Sequence, residues 1–267
     1  MWNYLYNHFD PIAFEIGWLR VHWYGIAYVC ALVVALLVAK WIAKRDNYPL
    51  SGEQLESYFI WVEIGVILGA RIGYIVFYDP SAFYYFTHPW QIFNPFHNGE
   101  FVGIRGMSYH GALIGFLLAS ALFARTKGVH FWRLMDLVGI SVPLGYFFGR
   151  IGNFLNQELI GRATEMPWGI YVAGILRHPS QIYEAFLEGI FIFVALFLWR
   201  KRQKFIGQLG LMYLILYALM RFVAEFWREP DSHIGYLFWG ITMGQLLSLS
   251  MAIPALVLWI YLSQKQK

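Results

Sequence analysis

Seven stretches of this chain are apolar for long enough to cross a lipid bilayer, and that pattern constrains the fold more than any other feature. Crossing about 30 Å of hydrocarbon takes roughly 20 mainly apolar helical residues. The runs fall at about 18–39, 55–78, 106–124, 134–153, 181–199, 208–227 and 237–262, each end uncertain by a few residues. Composition agrees: 59% of the residues are hydrophobic and 13% charged, too little polar cover for a water-soluble globule. A disordered chain, a coiled coil and a disulfide scaffold are excluded on the same grounds. The expected fold class is an all-α integral membrane protein of seven transmembrane helices, forming one polytopic domain over residues 1–267.

Basic residues orient the spans, because Lys and Arg collect in cytoplasmic loops. Lys40, Lys44 and Arg45 follow the first run; Arg125, Lys127 and Arg133 the third; Arg200, Lys201, Arg202 and Lys204 the fifth; Lys265 and Lys267 lie at the end. All twelve fall on one side, which places the N-terminus in the periplasm and the C-terminus in the cytoplasm. The other eight are all arginines: Arg20, Arg71, Arg105, Arg150, Arg162, Arg177, Arg221 and Arg228. Guanidinium stays charged and grips phosphate through a planar fork, so arginines held on the outer side read as anion ligands. The formal net charge of +4 then records which loops stay in the cytoplasm rather than a nucleic-acid partner. The first residues lack the basic start and cleavage site of a signal peptide. Two long outer loops are expected, an aromatic one at 79–105 and one rich in Gly, Pro and polar residues at 154–180; loops of such length are usually functional.

Ionisable groups inside membrane spans are costly and mark sites unless a partner explains them. Tyr217, Arg221, Glu225 and Arg228 are spaced to share one helical stripe. Read as a ladder it merely locks helix packing, but two arginines against one glutamate leave a positive surplus for a phosphate. Glu184 and Glu188 also share a face, and structural pairing with arginines of neighbouring helices is the preferred reading. Glu63 and Arg71 are too far apart to pair and must look to other helices. The stretch from Gly149 to Arg162 holds glycines, two arginines, Asn153, Asn156 and Glu158 within 14 residues, more donors and acceptors than a helix end requires, and reads as a ligand site. His110, in Ser108-Tyr109-His110-Gly111, is either a packing residue or a base. Ser108 and His110 face different ways on a helix, which argues against a serine protease. His22 and Tyr24 sit where an aromatic belt is expected. Cys30 lies in an apolar run with no neighbour to activate it, and reads as a small buried hydrophobe. No metal motif, Gly-rich nucleotide loop or phosphate-loop lysine occurs, so neither a metal nor a cofactor is expected.

Gly149-Arg150-Ile151-Gly152-Asn153-Phe154-Leu155-Asn156-Gln157-Glu158-Leu159-Ile160-Gly161-Arg162 resembles the signature of the prolipoprotein diacylglyceryl transferases, Gly-Arg-x-Gly-Asn-Phe-x-Asn-x-Glu-x-x-Gly-Arg, with every fixed position filled. His22-Trp23-Tyr24-Gly25, Gly69 to Tyr74, Ser108 to Gly111, Arg177 to Glu184 and Arg221 to Asp231 resemble further blocks of that family, in its order. The resemblance implies an enzyme of the bacterial cytoplasmic (inner) membrane that transfers the diacylglyceryl group of phosphatidylglycerol to the lipobox cysteine of a prolipoprotein signal peptide, releasing glycerol phosphate. It implies that Arg150 and Arg221 bind the phosphate and that His110 accepts a proton or orients a hydroxyl. Tyr24, His22, Asn153, Glu158, Gly161, Tyr217, Glu225 and Arg228 would complete the pocket. The segment between Trp168 and Arg177 is shorter than in many relatives. A carrier or flippase for an anionic lipid or small phosphate compound would use the same arginines and remains the rival class.

Overall fold

A computed structural model of the chain describes residues 2–17, 19–97, 100–101, 106–230 and 235–266. Trp18, Arg105, Asp231 and Lys267, each named above or belonging to an expected run or motif, lie outside the described residues. In chain order the elements are β1 (Ile12–Ile16), β2 (Leu19–His22), α1 (Trp23–Arg45), α2 (Gly52–Tyr78), α3 (Ala82–Thr87), β3 (Phe96–His97), β4 (Glu100–Phe101), α4 (Tyr109–Lys127), α5 (Phe131–Leu155), β5 (Ile170–Val172), β6 (Ile175–Arg177), α6 (Ser180–Glu184), α7 (Ile192–Trp199), α8 (Gln208–Ala224) and α9 (Met243–Lys265). Between α6 and α7 the residues Ala185–Phe191 form a π-helical stretch, so Ser180–Arg202 runs on as one helix.

The chain is therefore mostly helical, and a helix overlaps each of the seven apolar runs. Five helices are long and apolar enough to cross a membrane: Trp23–Arg45, Gly52–Tyr78, Phe131–Leu155, Ser180–Arg202 and Met243–Lys265. Gln208–Ala224 is apolar but shorter, and α4 carries His110 in its first turn and Arg125 and Lys127 in its last. Three short antiparallel hairpins, β1–β2, β3–β4 and β5–β6, accompany the helices without changing that all-α class. The first of these displaces the start of the first expected span. Residues 12–16 form a strand and turn back at Gly17 (φ +60°), so α1 begins only at Trp23. The expected loop at 79–105 contains α3 and a short 3-10 turn at Pro89–Gln91, and that at 154–180 contains β5–β6.

Two compact units divide the chain, residues 49–134 and residues 1–48 with 135–267. In the first of these, α2 lies along α4. Its start is fixed by a capping box in which Ser51 accepts from the Gln54 backbone and Gln54 reaches back to the Ser51 N–H. Gly65, Gly69 and Gly73 face Gly111 and Gly115 so closely that a Cβ on Gly115 would collide with the Gly65 carbonyl oxygen. Small residues let two helix backbones meet where lipid supplies no hydrophobic drive. At the other end of the contact Tyr58 and Ser120 share a hydrogen bond of 2.9 Å beside the buried Phe123. Arg71 is buried: Nε donates to the Ile92 carbonyl and Nη1 to that of Gly106, with the Tyr74 and Tyr85 rings beside it.

In the larger unit α1, α5, the helix Ser180–Arg202, α8 and α9 pack around small residues and a few buried polar anchors. Trp41 stacks on Phe197 at 5.4 Å, and Arg200 pairs with Asp46 at 2.9 Å. Asp136 on α5 is 1% exposed and caps the start of α8 from outside that helix. Its carboxylate accepts from the backbone N–H groups of Gly207, Leu209 and Gly210 and from the Gln203 amide, at 2.6 to 3.1 Å. Helix starts leave four such donors unsatisfied, and here one side chain takes three of them. That anchor fixes how far α8 is slid along α5, and with it the relative heights of Arg150 and Arg221.

Candidate active site

Arg150 is the next-to-last turn of α5, and its side chain points into the helix cluster rather than out to lipid. Nε lies 2.6 Å from the Tyr146 hydroxyl and 3.0 Å from Glu184 Oε2, while Nη1 donates to Asn153 Oδ1 at 3.1 Å. The Tyr146 ring lies under the guanidinium, 4.7 Å from its centre. From α8, Arg221 sends Nη1 to the same Glu184 oxygen at 3.2 Å and to Glu188 at 3.7 Å, and Nη2 to Glu225 at 2.7 Å. Both arginine side chains are about nine-tenths buried, and Glu184 and Glu188 wholly so. Tyr146 donates to Glu188 in a very short hydrogen bond and meets the Tyr217 ring edge-on at 5.7 Å.

This arrangement corrects the charge reading of the sixth run. Counted along one helix, two arginines exceed one glutamate. Counted in space, Arg150 and Arg221 face Glu184, Glu188 and Glu225, so the guanidinium surplus is already met by carboxylates. The expected stripe is also broken, because α8 ends at Ala224. Tyr217 and Arg221 lie on the helix, Glu225 caps it, and Arg228 lies beyond, where its backbone pairs with Gly161. Glu184 and Glu188 stand on either side of the π-helical start, a feature frequent at functional sites. Gly189 allows that stretch to rest on the backbone of Phe147.

The turn after α5 carries the rest of the signature. Asn153 Nδ2 donates to Glu158 Oε1 at 2.7 Å, so Glu158, Asn153 and Arg150 form one relay of hydrogen bonds. Gly161 sits where three strands of backbone cross: a Cβ there would collide with the His178 carbonyl oxygen and lie 2.9 Å from that of Trp227. Arg162 binds the carbonyls of Arg228 at 2.8 Å and Glu225 at 3.2 Å, and Arg177 those of Gly161 and the Glu229 carboxylate, at 3.0 and 3.1 Å. These two arginines therefore tie the segment after α5 to the chain beyond α8 and to β6. Burial holds the His178 imidazole below its usual range, and its Nδ1 lies 3.2 Å from the Tyr183 hydroxyl.

Tyr24 lies against Gly152 on α5, two residues after Arg150 and therefore on another side of that helix; His22 is the residue before α1 and pairs with Ile12 across the β1–β2 hairpin. His110 is exposed in the first turn of α4, with the Tyr109 ring edge-on at 5.9 Å, and belongs to the smaller unit. The structure thus gathers Arg150, Asn153, Glu158, Tyr217, Arg221 and Glu225 around Tyr146 and Glu184 in the larger unit, whereas Tyr24 packs at Gly152 and Gly161 at the crossing with His178 and Trp227. Tyr146 went unnoticed in the sequence. Its signal was there, four residues before Arg150 on the same face of α5, but an aromatic on an apolar helix reads as core.

Residues 11–261 match the model of a family described as prolipoprotein diacylglyceryl transferase. A phosphatidylglycerol-prolipoprotein diacylglyceryl transferase of Wolinella succinogenes is 79% identical over 266 residues, covering 100% of this chain and 98% of its own. Proteins of the same name from Campylobacter lari and Campylobacter curvus are 63% and 59% identical, covering 100% and 98% of this chain and 98% and 97% of their own.

Proposed function

This chain belongs to the prolipoprotein diacylglyceryl transferase family, and from that premise we propose that it moves the diacylglyceryl group of phosphatidylglycerol onto the lipobox cysteine of a prolipoprotein. The cysteine thiolate attacks the glyceryl carbon that bears the phosphate ester. A C–S bond forms as the C–O bond breaks, the phosphate leaves as glycerol phosphate, and the thiol proton passes to a base. The nucleophile comes from the substrate, so Cys30 has no part in it. What such a reaction asks of the protein is charge stabilisation on the departing phosphate.

The observation that carries the reading is that one oxygen, Glu184 Oε2, meets two guanidinium groups, Arg150 at 3.0 Å and Arg221 at 3.2 Å. Two arginines that converge on one carboxylate oxygen can converge on one phosphate oxygen, and their forked donors suit it. Asn153 and Glu158 hold Arg150 in register. Tyr24, His22, Gly161, Tyr217, Glu225 and Arg228 line the pocket, and His110 takes the proton or orients a hydroxyl. We place the protein in the inner membrane as a single domain of seven spans, N-terminus outward and site toward the periplasm, where the signal peptide presents its cysteine.

Purified protein incubated with phosphatidylglycerol and a lipobox peptide should yield a peptide heavier by one diacylglyceryl unit, with glycerol phosphate released in equal amount. Movement of lipid between leaflets with no change in peptide mass would replace this reading with that of a carrier.

A further inference from the structure

The segment Trp2–Phe9 packs over the turn that carries Glu158, and its contacts are too specific for a passive cover. The turn itself is strained. Gln157 and Leu159, on either side of Glu158, both have left-handed backbones, at φ +57° and +56°, and neither is glycine. Such conformations persist where the surroundings over-determine them, and they gather at functional sites. The Gln157 side chain reaches from this turn to the N-terminal segment.

That side chain is fastened. The Gln157 amide donates to the carbonyls of Tyr6 at 3.2 Å and Phe9 at 3.0 Å. On the far side of the turn, Gln181 is wholly buried and its amide donates both to the Glu158 carbonyl at 2.5 Å and to the Tyr6 hydroxyl at 3.3 Å. Ser180 binds the Leu159 carbonyl at 3.2 Å. Tyr6 is thus joined to the turn from both sides, and its ring is buried with Phe154 and Ile170. The segment is secured farther out as well: Trp2 donates to the Trp168 carbonyl at 2.8 Å and Asn3 to the Pro167 and Gly169 carbonyls. From the turn the relay runs inward, Glu158 to Asn153 at 2.7 Å and Asn153 to Arg150 at 3.1 Å.

We infer that Trp2–Phe9 is a brace for the phosphate-binding arginine, with Gln157 and Tyr6 as positioning residues that act on Arg150 through Glu158 and Asn153. Neither touches substrate. The brace holds Glu158 where it can orient Asn153, and Asn153 fixes the rotamer in which Arg150 presents its fork. The structural part of this inference stands on contacts alone; its effect on phosphate binding rests on the proposed transfer reaction.

Two variants of the full chain test it. Gln157→Gly removes the tether but admits the left-handed backbone freely, so a residue needed only for that conformation would be replaced without loss. Tyr6→Phe keeps the buried ring and removes the hydroxyl, at a distance from the turn. Hydrogen exchange is read at the amides of 156–160, and the inhibition constant of glycerol phosphate is read in the transfer assay. Both variants are expected to exchange at least about tenfold faster at those amides and to raise the inhibition constant about tenfold, while the melting temperature in detergent stays within a few degrees. Wild-type exchange in Tyr6→Phe and a wild-type inhibition constant in both variants would overturn the brace. Faster exchange with an unchanged inhibition constant would also overturn it, because the tether would then not reach Arg150. Absence of transfer by the wild-type protein would instead count against the proposed function and leave the exchange result to decide the brace.

Discussion

Arg150→Lys keeps the charge at the centre of the site and removes the fork, which makes it the sharpest test of what the geometry does. Arg150 holds three directed contacts: Glu184 at 3.0 Å, the Tyr146 hydroxyl at 2.6 Å and Asn153 at 3.1 Å. A lysine ammonium is a point charge on a flexible stem, and it can keep the ion pair with Glu184 but not the fixed angle to Tyr146 and Asn153. Hydrogen bonds to a charged group contribute about 1.5–3 kcal/mol each, so losing two withdraws about 3–6 kcal/mol. The lysine regains part by reorienting, leaving a deficit of about 2–4 kcal/mol. If that deficit falls on the state in which the phosphate departs, transfer slows by about 30- to 1,000-fold. The assay is diacylglyceryl transfer to a lipobox peptide at saturating lipid, with melting temperature in detergent measured alongside. Lys40→Arg is the control, since Lys40 lies toward the far end of α1 from Tyr24 and the change keeps its charge; its activity should stay within about twofold of wild type. Equal activity in Arg150→Lys and Lys40→Arg would refute the reasoning and remove the guanidinium fork from the mechanism.

Three further outcomes are expected. Asp136→Ala leaves three backbone donors and the Gln203 amide without their acceptor, so it should cost about 3–5 kcal/mol and lower the melting temperature sharply; an unchanged melting curve would mean that α8 starts without help. Gly161→Ala forces the crossing with the His178 and Trp227 carbonyls apart, and should abolish transfer while the helices still give a native circular dichroism spectrum; full activity would show that the crossing is slack. Gly115→Leu should separate α2 from α4 and destabilise the protein far more than Gly25→Ala, whose Cβ meets nothing within 4 Å, as a pair of thermal melts would show.

What could be read in the sequence was what repeats or what is chemically rare. Apolar runs of helical length are both, so every run has its helix, and the signature from Gly149 to Arg162 stood out because donors crowded into an apolar chain. The hairpins were hidden because strands such as Ile175–Arg177 are three residues long and carry no measurable period. The charge reading at Arg221 failed for a related reason. Spacing along one helix reveals neighbours on that helix, whereas Glu184 and Glu188 approach from another element, and only their packing shows that two carboxylates meet it. Tyr146 was lost in the same way: its phenol looks like any other aromatic of α5 until Glu188 and Arg150 are placed on either side of its hydroxyl.

Glu184, a wholly buried carboxylate that answers two guanidinium groups, is a resident counter-ion. Under the proposed function, a phosphate does not fall into an empty positive trap but exchanges with an anion already seated. The arginines are never stranded in a dry interior without charge compensation, and the incoming lipid is rewarded only with the difference between two similar partners. The same residue that joins the helices then competes with phosphate for both arginines. When the glyceryl carbon has been taken and the phosphate is ready to go, the carboxylate stands ready to reclaim both arginines, so departure of the product needs no separate trigger.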